Sequence, residues 1–385
     1  MSSARRFPVV IAAIVALLLL VAILGFREKQ SDAEIAVPAP TTTEVLPTTV
    51  SPAPIGEFPE EELRSALTNL CSGSGQQSDD KEWTAEEIQA ATEARNELRQ
   101  NISDRLSVSS STEHLHLAAL LEDDSASRIE LLDRAISQSP NDAFLLWRAV
   151  QICTEEGDAT ACDLADWERR LLTIDGENSE SWLRIAANRY KAGETEAALE
   201  AMRHAATAAE TRIYWTETIE MIERGLAAAG SDYPFPERAG MAFSFAAMKV
   251  PRYGDFTTMC KEQSVLSADW AYTCLGYGEL AENQGKTEIG VSIGRSIQKL
   301  ALEALGELEK AAEVEQRIQA RHQERLDSIK DYNPATERLI VSNPTLFSAY
   351  LAAIRSEGEE AARRHIAAEI ERLLQQQPEL ACEPL

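Results

Sequence analysis

An all-α fold is predicted by three observations on this chain. From residue 57 onward nearly every segment carries its apolar residues at helical spacing. Ala, Leu and Glu are plentiful while aromatics make up only 6%, a composition suited to helices that pack through small side chains. No stretch alternates polar with apolar β-branched residues, and no Asn-Gly pair offers a hairpin turn, so strands find no support.

The first predicted element is residues 8–26, PVVIAAIVALLLLVAILGF, which contain no charged side chain. At about 1.5 Å per residue such a helix is roughly 28 Å long, close to the hydrocarbon thickness of a bilayer. Arg5 and Arg6 precede it in the short tip formed by residues 1–7, and this basic bias holds the N-terminus on the cytoplasmic side. The competing reading is a cleaved signal peptide, whose apolar core is usually about 7–15 residues followed by an A-x-A site. Here the run is longer, Ile23-Leu24-Gly25-Phe26 gives no such site, and no Cys follows closely for lipid attachment. A retained single-pass anchor is therefore expected, with the bulk of the chain on the far side; cleavage would leave that bulk exported all the same. The setting that fits is the inner membrane of a bacterium, with the body in the periplasm.

Residues 27–56 read as a linker, with prolines at 38, 40, 47, 52 and 54 among threonines and no periodic apolar face. Proline fixes φ and removes backbone donors, so the segment is an extended spacer. Residues 57–106 follow as N-terminal helices: one over 60–70 ending at Cys71-Ser-Gly-Ser-Gly, and one opened by Thr84 with Glu87, spaced as a capping box.

Residues 107–230 give three helix pairs, 114–121 with 127–137, 143–154 with 160–173, and 179–191 with 195–209, at a period of about 35 residues. Ser139-Pro-Asn-Asp and Asp175-Gly-Glu-Asn hold equivalent links between pairs. The clearest unit is NSESWLRIAANRYKAGETEAALEAMRHAA, residues 178–206. It resembles a tetratricopeptide repeat. Trp182, Ile185 and Ala186 sit at the large and small positions of the first helix, Gly193-Glu194 at the turn, and Ala198, Met202 and Ala205 at the inward positions of the second. Tyr190 falls one residue late, and 164–172 of the preceding unit fits only with an insertion. The resemblance covers about a third of the chain. It implies a stacked solenoid whose first helices line a concave groove that holds a protein or peptide. On that reading Arg148, Gln151, Arg184, Asn188 and Lys191 are the groove-side candidates, basic and amide groups able to receive a carboxylate.

SDYPFPERAG at 231–240 interrupts the array, and residues 231–385 read as a further helical region. Helices are expected at 238–248, 256–266 and 269–284, followed by a nearly unbroken one over 287–331. Its apolar stripe includes Ile289, Ile293, Ile297, Leu300, Leu308 and Val314, with Gly294 and Gly306 as points of bending. Pro334, Pro344 and Gly358 punctuate shorter helices that end near residue 377.

The six cysteines suit an oxidising compartment. Cys153 and Cys162 lie at equal distances from the Gly157-Asp158 turn, and Cys260 and Cys274 at equal distances from Ser267. Equal distances from a hairpin turn place two residues at one height on facing helices, where a disulfide can form. Cys71 and Cys382 are left to pair by elimination. No C-x-x-C occurs, so neither a redox motif nor a zinc site is indicated.

Formal net charge is −26, and the chain beyond the anchor holds 63 acidic against 35 basic residues. Such a surface repels phosphate backbones, which argues against nucleic acid. The five histidines are scattered, and His114 and His116, two apart on a helix, point to different faces and cannot chelate one ion together. No H-E-x-x-H, G-x-S-x-G or Walker pattern is present, and no cofactor is implied. The sequence therefore points to a membrane-anchored scaffold or adaptor that binds a protein partner, not to an enzyme. The alternative is a hydrolase-type envelope enzyme on a helical frame.

Overall fold

The computed structural model describes residues 58–72, 84–156, 162–230, 233–330 and 334–377. The expected membrane span at 8–26, the linker at 27–56 and Cys382 lie outside the described residues. No helix among the described residues is long and apolar enough to cross a membrane.

Among these residues the regular structure is entirely helical, apart from a single bridge between Asn178 and Glu210. Helices α1 (Glu60–Ser72) and α2 (Ala85–Ser107) come first. They are followed by α3 (Thr112–Leu121), α4 (Ser125–Gln138), α5 (Ala143–Glu156), α6 (Leu164–Asp175), α7 (Ser179–Lys191) and α8 (Thr195–Thr207). In that run α3 packs on α4, α5 on α6 and α7 on α8, and α5 also meets α7. Next come α9 (Trp215–Ala228), α10 (Phe235–Met248), α11 (Gly254–Ser264) and α12 (Ala268–Gln284). The last of the described residues form α13 (Glu288–Ala304), α14 (Leu308–Lys330), α15 (Pro334–Ser342), α16 (Pro344–Glu357) and α17 (Glu359–Gln376).

Local chemistry sets these boundaries. Thr84 Oγ1 accepts the Glu87 amide at 3.2 Å while Glu87 Oε2 accepts the Thr84 amide at 3.1 Å, a reciprocal cap that satisfies two orphan donors of α2. Asp142 Oδ1 takes the Leu145 amide at 3.0 Å in the first turn of α5. Asn178 caps α7 and also binds across the link: its Nδ2 donates to Asp175 and to the Arg212 carbonyl, and its Oδ1 accepts the Arg212 amide at 2.9 Å. That side chain is fully buried and ties the start of one helix pair to the end of it.

The expected continuous helix over 287–331 is instead a hairpin. Gly306 takes a left-handed φ of +76° between α13 and α14, where the chain reverses, and Leu302, Ala311 and Val314 then form a small core of their own. α13 continues through Gly294 as one helix. Gly294 lies where α13 approaches α12 tightly: a Cβ on Gly278 would lie 2.7 Å from the Gly294 carbonyl oxygen, and one on Gly294 would lie 2.8 Å from the Gly278 oxygen.

One connected apolar core runs from Phe58 to Leu373. The first helix is not a free end, because α1 packs on α15 and α16. Arg372 pairs with Glu60 at 2.8 Å, Asn343 donates to Glu62 at 2.6 Å, and Phe58 meets the His365 ring edge-on. Disulfides join Cys153 to Cys162 and Cys260 to Cys274, with Cα separations of 6.3 and 5.9 Å. The first ties α5 to the link just before α6, and the second ties α11 to α12. The proposed Cys71–Cys382 pairing falls outside the described residues.

Candidate functional site

Of the five side chains expected to line an open groove, Arg148, Gln151 and Arg184 are covered by the protein itself, Asn188 is half-buried and Lys191 is exposed. Arg148 on α5 is 3% exposed. Its Nη1 donates to Gln151 Oε1 at 2.7 Å and to the Lys249 carbonyl at 2.8 Å, and its Nη2 donates to Thr218 Oγ1 of α9 at 2.9 Å. Arg184 on α7 is 1% exposed, with its guanidinium 4.9 Å from the Phe256 ring centre and 5.2 Å from that of Trp147. Gln151 is buried with them and donates to Glu155 at 2.9 Å.

The expectation that Arg148, Gln151 and Arg184 receive a ligand carboxylate is therefore corrected. Arg148 is met by Thr218 of α9 and by the Lys249 carbonyl between α10 and α11, Gln151 by Arg148 and Glu155 of α5, and Arg184 by Glu180 of its own helix, Glu155 of α5 and the Phe256 ring of α11. Glu180, one turn before Arg184 and 3.8 Å from it, accepts the Tyr253 hydroxyl at 3.1 Å and the Tyr277 hydroxyl at 2.8 Å. Burial raises the Glu180 carboxyl, and Arg184 with the two phenols opposes that rise. The same burial, with the Glu180 charge, drives both phenols well above their ordinary range. Asn188 is half-buried and donates to Glu168 at 2.7 Å, and exposed Lys191 pairs with Asp255 of α11 at 2.7 Å. Arg148, Arg184 and Lys191 thus reach downstream segments, while Asn188 holds the preceding α6 and Gln151 bonds within α5. Removing one member of a buried charged seam of this kind leaves an uncompensated charge, at a cost of about 3–5 kcal/mol.

Beside this covered face lies a cleft of about 280 Å³ where α3, the α4–α5 link and α9 meet. Thr112, Glu113 and His116 come from α3, Ser139 and Asp142 from the link, and Phe144 from the start of α5. Glu217, Glu220, Met221 and Arg224 come from one face of α9, at the i, i+3, i+4 and i+7 positions that a helix presents together. Arg224 pairs with Glu113 at 2.8 Å and lies 3.9 Å from Glu220. Glu220 is also paired with Arg355 of α16, and Glu217 lies 3.8 Å from Arg212.

His116 is 3% exposed, and its ring centre lies 4.6 Å from that of Phe144. Burial, helped by the Arg148 charge, pulls its pKa down to about 3, so the imidazole is neutral near pH 7. Its Nε2 is buried and has no hydrogen-bond partner. Sequence reasoning weighed His116 only as a metal ligand and did not find this cleft, because its walls are separated by about a hundred residues of chain. No group of three His, Cys, Asp or Glu able to hold a metal ion occurs among the described residues. No family model matches the chain, and no curated protein is significantly similar to it.

Proposed function

We propose that this protein is a membrane-tethered, extracytoplasmic scaffold or adaptor that holds a protein partner on a tetratricopeptide-like helical array. The observation that carries the reading is the serial packing of α3 on α4, α5 on α6 and α7 on α8, with α5 also against α7. One such pair cannot bury its own apolar stripe, so stacking completes the core and leaves extended faces for a partner. The disulfides within two hairpins accord with an oxidising compartment. The apolar run at 8–26 with Arg5 and Arg6 before it supplies the anchor, and the bulk of the chain then lies in a periplasm-like space.

The partner does not enter by the array's first-helix face, which is filled. It approaches from the rim, at the cleft between α3 and α9. The test is photo-cross-linking in intact cells, with a photoreactive residue at Glu113 or Glu217 of the full chain. One or two discrete protein adducts are expected from these positions and none from a control at half-buried Glu237 on α10, away from the cleft. Adducts to lipid alone, or the same smear from all three positions, would refute the scaffold reading.

A further inference from the structure

We infer that the cleft between α3 and α9 receives a primary ammonium on an aliphatic stem, namely a lysine side chain of the partner. This rests on the partner-binding reading and specifies which chemistry that partner presents. The lining sets four carboxylates, Glu113, Asp142, Glu217 and Glu220, against one guanidinium, Arg224. Arg212 and Arg355 reach Glu217 and Glu220 from outside the lining.

The carboxylates keep capacity to accept. Asp142 spends Oδ1 on the Leu145 amide, and Glu217 spends Oε2 on the Thr216 hydroxyl. An ionised carboxylate has about four lone-pair sites. With Arg212, Arg224 and Arg355 set against the four carboxylates, one negative charge is left in excess, which favours a cation over an anion. A cation meets acceptors arriving from three separate elements around it. That arrangement serves a compact ion with three rotatable donors better than a flat guanidinium, which needs its acceptors in one plane.

The second observation is independent of the carboxylates. His116 lines the cleft, is almost wholly buried, and has a ring nitrogen with no partner. A buried imidazole left unsatisfied costs free energy unless something completes it. A neutral imidazole always retains one acceptor nitrogen, and an ammonium is a pure donor. Phe144 and Met221 supply the apolar walls along which a four-carbon stem lies while its charged head faces the acceptors.

The experiment uses the full chain in detergent, labelled at its methionine methyl groups. Met221 is the one of the six methionines that lines the cleft. The probe is the blocked tripeptide Ala-Lys-Ala; controls are the same peptide with norleucine, the same with glutamate, and free diaminobutane. The Lys peptide is expected to move the Met221 methyl signal saturably and leave Met248 and Met259 still. The norleucine peptide should bind at least about tenfold more weakly, the difference made by charge-assisted hydrogen bonds. Glu217→Gln should weaken the Lys peptide, and Glu237→Gln, an equal charge loss away from the cleft, should not.

An unmoved Met221, or equal shifts from Lys and norleucine peptides, would overturn the inference. Tighter binding of diaminobutane than of the Lys peptide would overturn it in favour of a free amine. Should discrete protein adducts form while the Lys peptide fails to bind, the scaffold reading stands and the lysine chemistry falls. Binding of the Lys peptide with lipid adducts alone would do the reverse.

Discussion

The approach of α12 to α13 makes one substitution change sign with its location. At Gly278 an added Cβ would lie 2.7 Å from the Gly294 carbonyl oxygen, 2.8 Å from Gln298 Cγ and 2.9 Å from the Gln298 amide nitrogen. Two of those three atoms are backbone and cannot swing aside, so Gly278→Ala must push the helices apart. Overpacking of a tight contact costs about 1–3 kcal/mol, while alanine's better helix propensity returns about 1 kcal/mol. The Gln298 side chain also donates to the Gly278 carbonyl at 3.1 Å, a bond that separation of the helices would strain. The net expectation is a loss of about 1–3 kcal/mol. Gly240, inside α10, has nothing within 4 Å of where its Cβ would stand, so Gly240→Ala should gain up to about 1 kcal/mol. Urea unfolding followed by helical circular dichroism measures both on the chain from residue 58. Equal stability changes at the two positions, or a gain at Gly278, would show that α12 and α13 do not meet through their glycines.

Three further expectations follow from the same contacts. Because His116 is held neutral with a pKa of about 3 against an ordinary 6.5, its contribution is complete above pH 6.5 and declines as pH falls toward 3. Moving from pH 7 to pH 5 should remove about 2 kcal/mol that His116→Gln does not lose, read as a difference in urea midpoints. Burial alone would raise Glu282, but hydrogen bonds from Arg317, Arg295 and Gln298 outweigh it and hold the carboxyl at about 2. Glu282→Gln should therefore cost about 1–2 kcal/mol at pH 7 after allowance for solvent screening, and the gap should close as pH drops from about 4.5 toward 2. Replacing Cys260 and Cys274 together by serine should cost about 2–3 kcal/mol, and a peptide map without reductant should show the two joined in the parent.

Features governed by neighbours in sequence are legible in the sequence itself. Thr84 and Glu87 announced their cap by spacing alone. The two disulfides followed from cysteines equidistant from a turn, since an antiparallel hairpin makes sequence symmetry into spatial proximity. What depended on distant chain was hidden. Arg148 and Arg184 look like ordinary surface charges on amphipathic helices until Thr218, the Lys249 carbonyl, Tyr253 and Phe256 cover them from about 70 to 100 residues downstream. Gly306 was visible as an interruption, but a glycine within an apolar stripe does not disclose whether the chain bends or reverses. The cleft was unreadable for the same reason as the seam: its residues reach one another only through the docking of α9.

The junction of α1 with α15–α17 has a mechanical corollary. An open-ended solenoid can fray repeat by repeat from either terminus, each unit supported by one neighbour. Here the opening helix is latched to the closing ones by Glu60–Arg372, Glu62–Asn343 and Phe58–His365. Any tension arriving through the chain that precedes Phe58 is delivered to both extremities at once. The first event under load is then shear between α1 and the last helices, with the disulfide-bound middle left intact.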